Sequence, residues 1–118
     1  MIAVIFEVVP LEGRLHDYLT IAAALRPELE QIKGFISIER FQSLANPDKI
    51  LSLSFWDNEE SVIKWRNTEA HRLAQAKGRE SVLSSYKLKV ATVQRSYTMK
   101  DRTEAPTDSN VFHIIDLK

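Results

Sequence analysis

The sequence contains no cysteine and only three glycines in 118 residues. The first absence removes disulfides, thiolate metal sites and thiol nucleophiles. The second leaves no glycine-rich phosphate loop, so nucleotide cofactors are not expected. An excess of charge of either sign is lacking as well, because 16 lysines and arginines balance 16 aspartates and glutamates. Without the positive field that phosphate-backbone binding draws on, nucleic acid is not an expected partner. Nor is there a long hydrophobic run. The apolar stretch Ile2 to Val9 contains Glu7, has no basic flank and stops at Pro10, too short for a membrane span and wrongly framed for a signal peptide. The expectation is a cytoplasmic protein with no membrane partner. His16, His71 and His113 follow no metal-ligand spacing, so no metal is expected either.

What is present suits one domain with a real core, since 44% of the residues are hydrophobic. Ile2 to Val9 is a β-branched and aromatic run that predicts a strand apolar on both faces. Leu15, Tyr18, Leu19, Ala22 and Leu25 recur at spacings of three and four, the stripe of an amphipathic helix. Pro27 predicts a break at Arg26 and a short new helical turn, closed by Gly34. Phe35 to Gln42 and Lys49 to Trp56 read as an antiparallel hairpin around the turn cluster Asn46-Pro47-Asp48. Asp57 followed by Glu60 predicts a helix cap, with a jog at Asn67-Thr68, a second piece to Lys77, and a further turn or two over 79–85. A last strand is expected over Tyr86 to Tyr97, with Leu88 and Val90 on one side and Ala91, Val93 and Tyr97 on the other. Residues 98–118 form a tail whose apolar run Val111 to Leu117 can dock on its own or a partner subunit.

The order β-α-β-β-α-β predicts a ferredoxin-like α+β fold, a four-stranded antiparallel sheet with helices on one face. Yet the strands carry apolar residues on both faces. An open apolar face of several hundred Å² is rare on a monomer, and burying roughly 800 Å² per partner at about 25 cal/mol/Å² outweighs the cost of association. A homodimer joined sheet to sheet is therefore expected, with any pocket between sheet and helices. Coverage by the tail is the alternative.

The element order, together with Phe55-Trp56-Asp57, Trp65, Ala70-His71-Arg72, Gly78-Arg79, and Tyr86 with Val90 and Val93, resembles the antibiotic biosynthesis monooxygenase family over residues 2 to 97. The resemblance implies a dimeric α+β barrel and, in some members, cofactor-free oxygenation of anthrones and quinols. That activity is associated with a helix tryptophan, an asparagine one turn before it, a tyrosine six residues after it and a nearby arginine. Here Trp65 matches, Ser61 and His71 replace the asparagine and the tyrosine, and Arg79 or Arg72 stands for the arginine.

Such chemistry needs a base near neutrality to deprotonate an electron-rich phenol, a role that suits His71. Trp65 can stack on a planar substrate or donate its indole N–H to it. His71 and Trp65 are thus the candidate catalytic residues, and Arg79, Arg72 and Ser61 the candidate substrate contacts, with no cofactor. Against these stand plainer readings: His71 as an exposed helix residue, Trp65 as core, the arginines as a solvated face. Trp56 and His113 are expected to pack and His16 to lie on the surface. The expected function is a monooxygenase acting on a small aromatic hydroxyl or quinol compound with dioxygen. The alternatives are a non-catalytic ligand-binding or assembly dimer, or a haem-binding or haem-degrading protein.

Overall fold

A computed structural model describes the backbone of residues 1–77 and 82–116, and the side chains of 1–71 and 82–111. Four strands, β1 (Ile2–Pro10), β2 (Phe35–Gln42), β3 (Ile50–Trp56) and β4 (Leu83–Thr92), alternate with α1 (Leu15–Glu30) and α2 (Glu59–Lys77), and α3 (Thr107–Asp116) follows. The sheet is antiparallel in the order β2-β3-β1-β4, the expected ferredoxin-like α+β arrangement. Val4, Phe6 and Val8 of β1, Ile38 of β2, and Ile50 and Trp56 of β3 meet Tyr18, Ala22, Leu25 and Leu29 of α1 and Val62 and Trp65 of α2 in one core.

Several boundaries differ from the sequence reading. Helix α1 runs unbroken through Pro27. Proline removes one backbone donor and crowds the turn before it, but the position is exposed and lies in the final turn, while Leu25 and Leu29 on either side are buried. Core packing of those leucines outweighs the local cost. Helix α2 likewise has no jog, because the Thr68 hydroxyl donates to the Lys64 carbonyl one turn back instead of starting a new helix. Its cap is Asn58, whose Oδ1 accepts from the Ser61 amide, one residue after the expected Asp57. Strand β4 starts and ends earlier than predicted. The turn expected over 79–85 falls partly outside the described residues.

Gly34 sits at φ +98°, and a Cβ there would lie 2.0 Å from Ser61 Oγ. That hydroxyl is 2.6 Å from the Lys33 carbonyl and 3.0 Å from Asn58 Oδ1, so the start of α2 is fastened to the turn before β2.

The tail contains a helix that the sequence reading missed. Around it Arg102 bonds Asn110 Oδ1, Ser109 Oγ and the Thr98 carbonyl, and its guanidinium lies 4.9 Å from the Tyr97 ring centre. None of these residues joins the core. The radius of gyration is 17.5 Å and the longest extent 58 Å against a shortest of 20 Å, whereas a compact chain of this length has a radius of about 13.5 Å. The arm extends the molecule and does not form a third layer on the sheet.

Candidate active site between the sheet and the second helix

Spacings of three and four along α2 put Val62, Trp65 and Glu69 on one stripe, and all three are buried. Trp65, 3% exposed, stands over Phe6 of β1 with the rings edge to face at 5.9 Å, and Phe6 leans on Tyr86 of β4 at 5.6 Å. Beside these rings is a cavity of about 200 Å³ lined by Phe6, Trp65, Arg66, Glu69, Ala70, Leu83, Tyr86 and Leu88. Among the described residues its walls are mainly apolar, and its one carboxyl is that of Glu69.

Glu69 is 6% exposed. Burial pushes its carboxyl up from 4.5 to about 7, opposed by the charge of Arg40. Tyr18, on the buried stripe of α1, is held above its ordinary value by burial and then by Glu69, with Arg40 acting the other way. Arg40 is near enough to favour the tyrosinate, yet it forms no well-aligned hydrogen bond with Tyr18. Five side-chain atoms here are shielded from solvent and unpartnered: Tyr18 OH, Arg40 Nε and Nη2, Trp65 Nε1 and Glu69 Oε2.

A larger hollow of about 330 Å³ lies at the β1–α1 turn, lined by Pro10, Leu11, Glu12, Gly13, Leu15 and Asp48. It offers no aromatic wall, and neither of its carboxylates is buried. The chemistry therefore points to the smaller cavity. Among the described residues no cluster of three or more histidines and carboxylates could hold a metal ion.

Of the candidate catalytic and substrate-contact residues that are described, Trp65 alone lines this cavity. His71 is exposed and absent from its lining, so as a base it would work in water and away from the apolar chamber. Ser61 is 2% exposed, with its hydroxyl engaged at the Gly34 turn, and does not line the cavity. The Arg72 side chain, Arg79 and the His113 side chain lie outside the described residues. Trp56 packs as expected, edge to face with Phe35 at 5.3 Å while its Nε1 donates to Ser54 Oγ at 2.8 Å. His16 is exposed, also as expected. Glu69, Arg40 and Tyr18 were not among the candidate site residues read from the sequence. The signal for Glu69 was its helical phase, four residues beyond Trp65, which a glutamate in a polar helix obscures.

A model of the family described as antibiotic biosynthesis monooxygenase matches residues 1–77. A curated protein of Pyricularia oryzae, jasmonate monooxygenase ABM, is 52% identical over 96 residues, which is 81% of this chain and 45% of that protein. The chain thus spans about half the length of that relative. The uncharacterised protein YqjZ of Bacillus subtilis is 28% identical over 106 residues, 86% of each chain. Among solved structures, Rv0793 of Mycobacterium tuberculosis superposes with a TM-score of 0.69 at 13% identity, covering 82% of this chain and 98% of that one, a likeness of fold. No helix among the described residues is long and apolar enough to cross a membrane.

Proposed function

Because the chain belongs to the antibiotic biosynthesis monooxygenase family, we propose that it is a cofactor-independent monooxygenase that oxidises a small aromatic hydroxyl compound with dioxygen. It works as a homodimer joined through the open sheet face, with the C-terminal arm lying against the partner. Trp65 positions the substrate and Glu69, in place of His71, is the base. One observation carries this reading: a carboxyl held at about 7 by burial faces an apolar cavity of about 200 Å³ beneath a tryptophan. A base poised near neutrality is half ionised where it must work and strong enough to draw a proton from a phenol.

In this reading Glu69 takes the hydroxyl proton, and the phenolate passes one electron to dioxygen. The phenoxyl radical and superoxide join at a ring carbon that bears hydrogen, and the proton on Glu69 is returned to the peroxide oxygen. Loss of that carbon's hydrogen with cleavage of the O–O bond leaves a carbonyl and water. Phenol plus dioxygen thus gives quinone plus water. All four electrons come from the substrate, so no external reductant is required. The apolar walls keep water from the radical pair.

A second reading is favoured by the relative named for jasmonate. Here the substrate is a small keto acid, and Glu69 removes a proton beside its ketone. Oxygen uptake with phenols, quinols, anthrones and jasmonate separates the two. Glu69→Gln is expected to lower turnover at least 100-fold, the range that loss of a general base gives, and His71→Ala to leave it unchanged. Equal rates in wild type and Glu69→Gln would remove Glu69 from the mechanism. Tight binding of these compounds without oxygen uptake would mark the protein as a non-catalytic binder.

A further inference from the structure

Around Glu69, behind the cavity wall, buried donors outnumber acceptors; Trp65 and Glu69 line the cavity itself, while Arg40 and Tyr18 do not. Tyr18 OH, Arg40 Nε, Arg40 Nη2 and Trp65 Nε1 are buried without partners, and Glu69 Oε2 beside them is in the same condition. Buried polar atoms are nearly always paired, so a cluster of orphans on three different elements calls for an explanation. The two arginine nitrogens share one edge of the guanidinium, the fork that grips an anionic oxygen or both oxygens of a carboxylate. Glu69 does not fill that fork, since the ion pairs among the described residues are Arg14–Asp17 and Arg26–Glu30.

The sheet register shows how the fork can reach the cavity. Arg40 pairs with Ser52 across β2 and β3, and Ser52 pairs with Phe6 across β3 and β1. Phe6 lines the cavity, and Ser52, small and buried, is all that stands between them in that row. Tyr18 comes down from α1, and Trp65 and Glu69 from α2.

We infer that these donors form an oxyanion pocket, in which Arg40, Tyr18 and Trp65 receive the ligand oxygen that turns negative when Glu69 takes its proton. The inference rests on the base role given to Glu69 above. One proton moves from the ligand to Glu69 Oε2, and the electron pair it leaves settles on the ligand oxygen. The net charge of the site is unchanged, but the negative charge moves from a carboxylate that lies outside the guanidinium fork to an oxygen held by that fork and two further donors. The substrates admitted are those whose acidic proton sits on an oxygen or on the carbon next to a carbonyl, namely phenols and enolisable ketones. Arg40 and Tyr18 therefore set specificity.

The test is titration of the whole protein with 4-nitrophenol, whose anion absorbs apart from its neutral form. The bound compound is expected to be at least tenfold more acidic than the free one. Arg40→Met should abolish that shift, while Glu69→Gln should keep it, because the donors remain and solvent takes the proton. A bound neutral phenol, an undiminished shift in Arg40→Met, or no binding by the folded protein would overturn the inference. Should Arg40→Met not fold, Tyr18→Phe and Trp65→Phe each remove one donor and keep a ring. Each is expected to weaken binding of the anion about fivefold, and no change in either would be equally fatal. Ionisation of the bound phenol without oxygen uptake retires the oxygenase reading and leaves the pocket standing. Oxygen uptake indifferent to Arg40→Met and Tyr18→Phe does the reverse.

Discussion

Along β3 the side chains facing the helices are those of Ile50, Ser52, Ser54 and Trp56, and those facing away are Leu51, Leu53 and Phe55. The covered face thus holds two serines at its centre, where the uncovered face holds two leucines and a phenylalanine. On β1 the contrast is milder, with Val4, Phe6 and Val8 inward and Ile5, Glu7 and Val9 outward. A two-layer protein stabilised only by its own core would place its hydrocarbon the other way round. The difference teaches that the two faces have different tasks. The inner one accommodates polar groups and rings, and the outer one has the apolar composition that the proposed dimer would cover.

That contrast can be broken first at Leu53. A Leu53→Glu substitution places a charge in the middle of the outer face, and burying it in the proposed dimer costs roughly 4 kcal/mol, about a thousandfold in the dissociation constant. Light scattering at micromolar concentration should then show a single protomer. An unaltered dimer would mean the outer face is not the interface.

The second effect concerns the inner face. Burial, opposed by Arg40, holds the Glu69 carboxyl at about 7 against an ordinary 4.5. Between those values the folded protein keeps a proton that the unfolded chain releases. The associated stability is complete below about pH 4.5 and is lost as the pH rises through about 7. Glu69→Gln should therefore stabilise the protein at pH 8 by up to roughly 3 kcal/mol and leave it nearly unchanged at pH 4, read from thermal melts at the two values. The same substitution removes the proposed base, so stability and turnover should move in opposite directions. A melting temperature equally indifferent to pH in both proteins would show that the carboxyl is not held in its neutral form.

Smaller effects sharpen the picture. Ser54→Ala strips the buried Trp56 indole of its acceptor at 2.8 Å and should cost roughly 1–2 kcal/mol in chemical denaturation. His71→Ala, at an exposed position of the same helix that carries Glu69, should change stability by less than about 0.5 kcal/mol.

The sheet was legible in the sequence because β-branched and aromatic runs such as Ile2 to Val9 have few other uses. Helix continuity was not. Pro27 and the pair Asn67-Thr68 are local signals for a break, and burial of Leu29 beyond the first and the bond from the Thr68 hydroxyl back to the Lys64 carbonyl at the second override those signals. Trp65 was found because a large aromatic in a helix stripe is conspicuous. Arg40 was not, although it stands two residues beyond the buried Ile38 and so shares its face of β2. An arginine in an alternating strand reads as solvated, and nothing local reveals that Ser52 beside it leaves a space for it to fill. Polar residues inside a core are legible only through the small neighbours that make room for them.

Arg102, gripping both the turn at Thr98 and the start of α3 while stacked on Tyr97, gives the arm a shape of its own before anything touches it. In the proposed dimer, a segment already bent in this way would surrender little freedom on contact. Weak attraction along a short helix would then suffice to hold it there, and a change at this one guanidinium would loosen that hold from a distance.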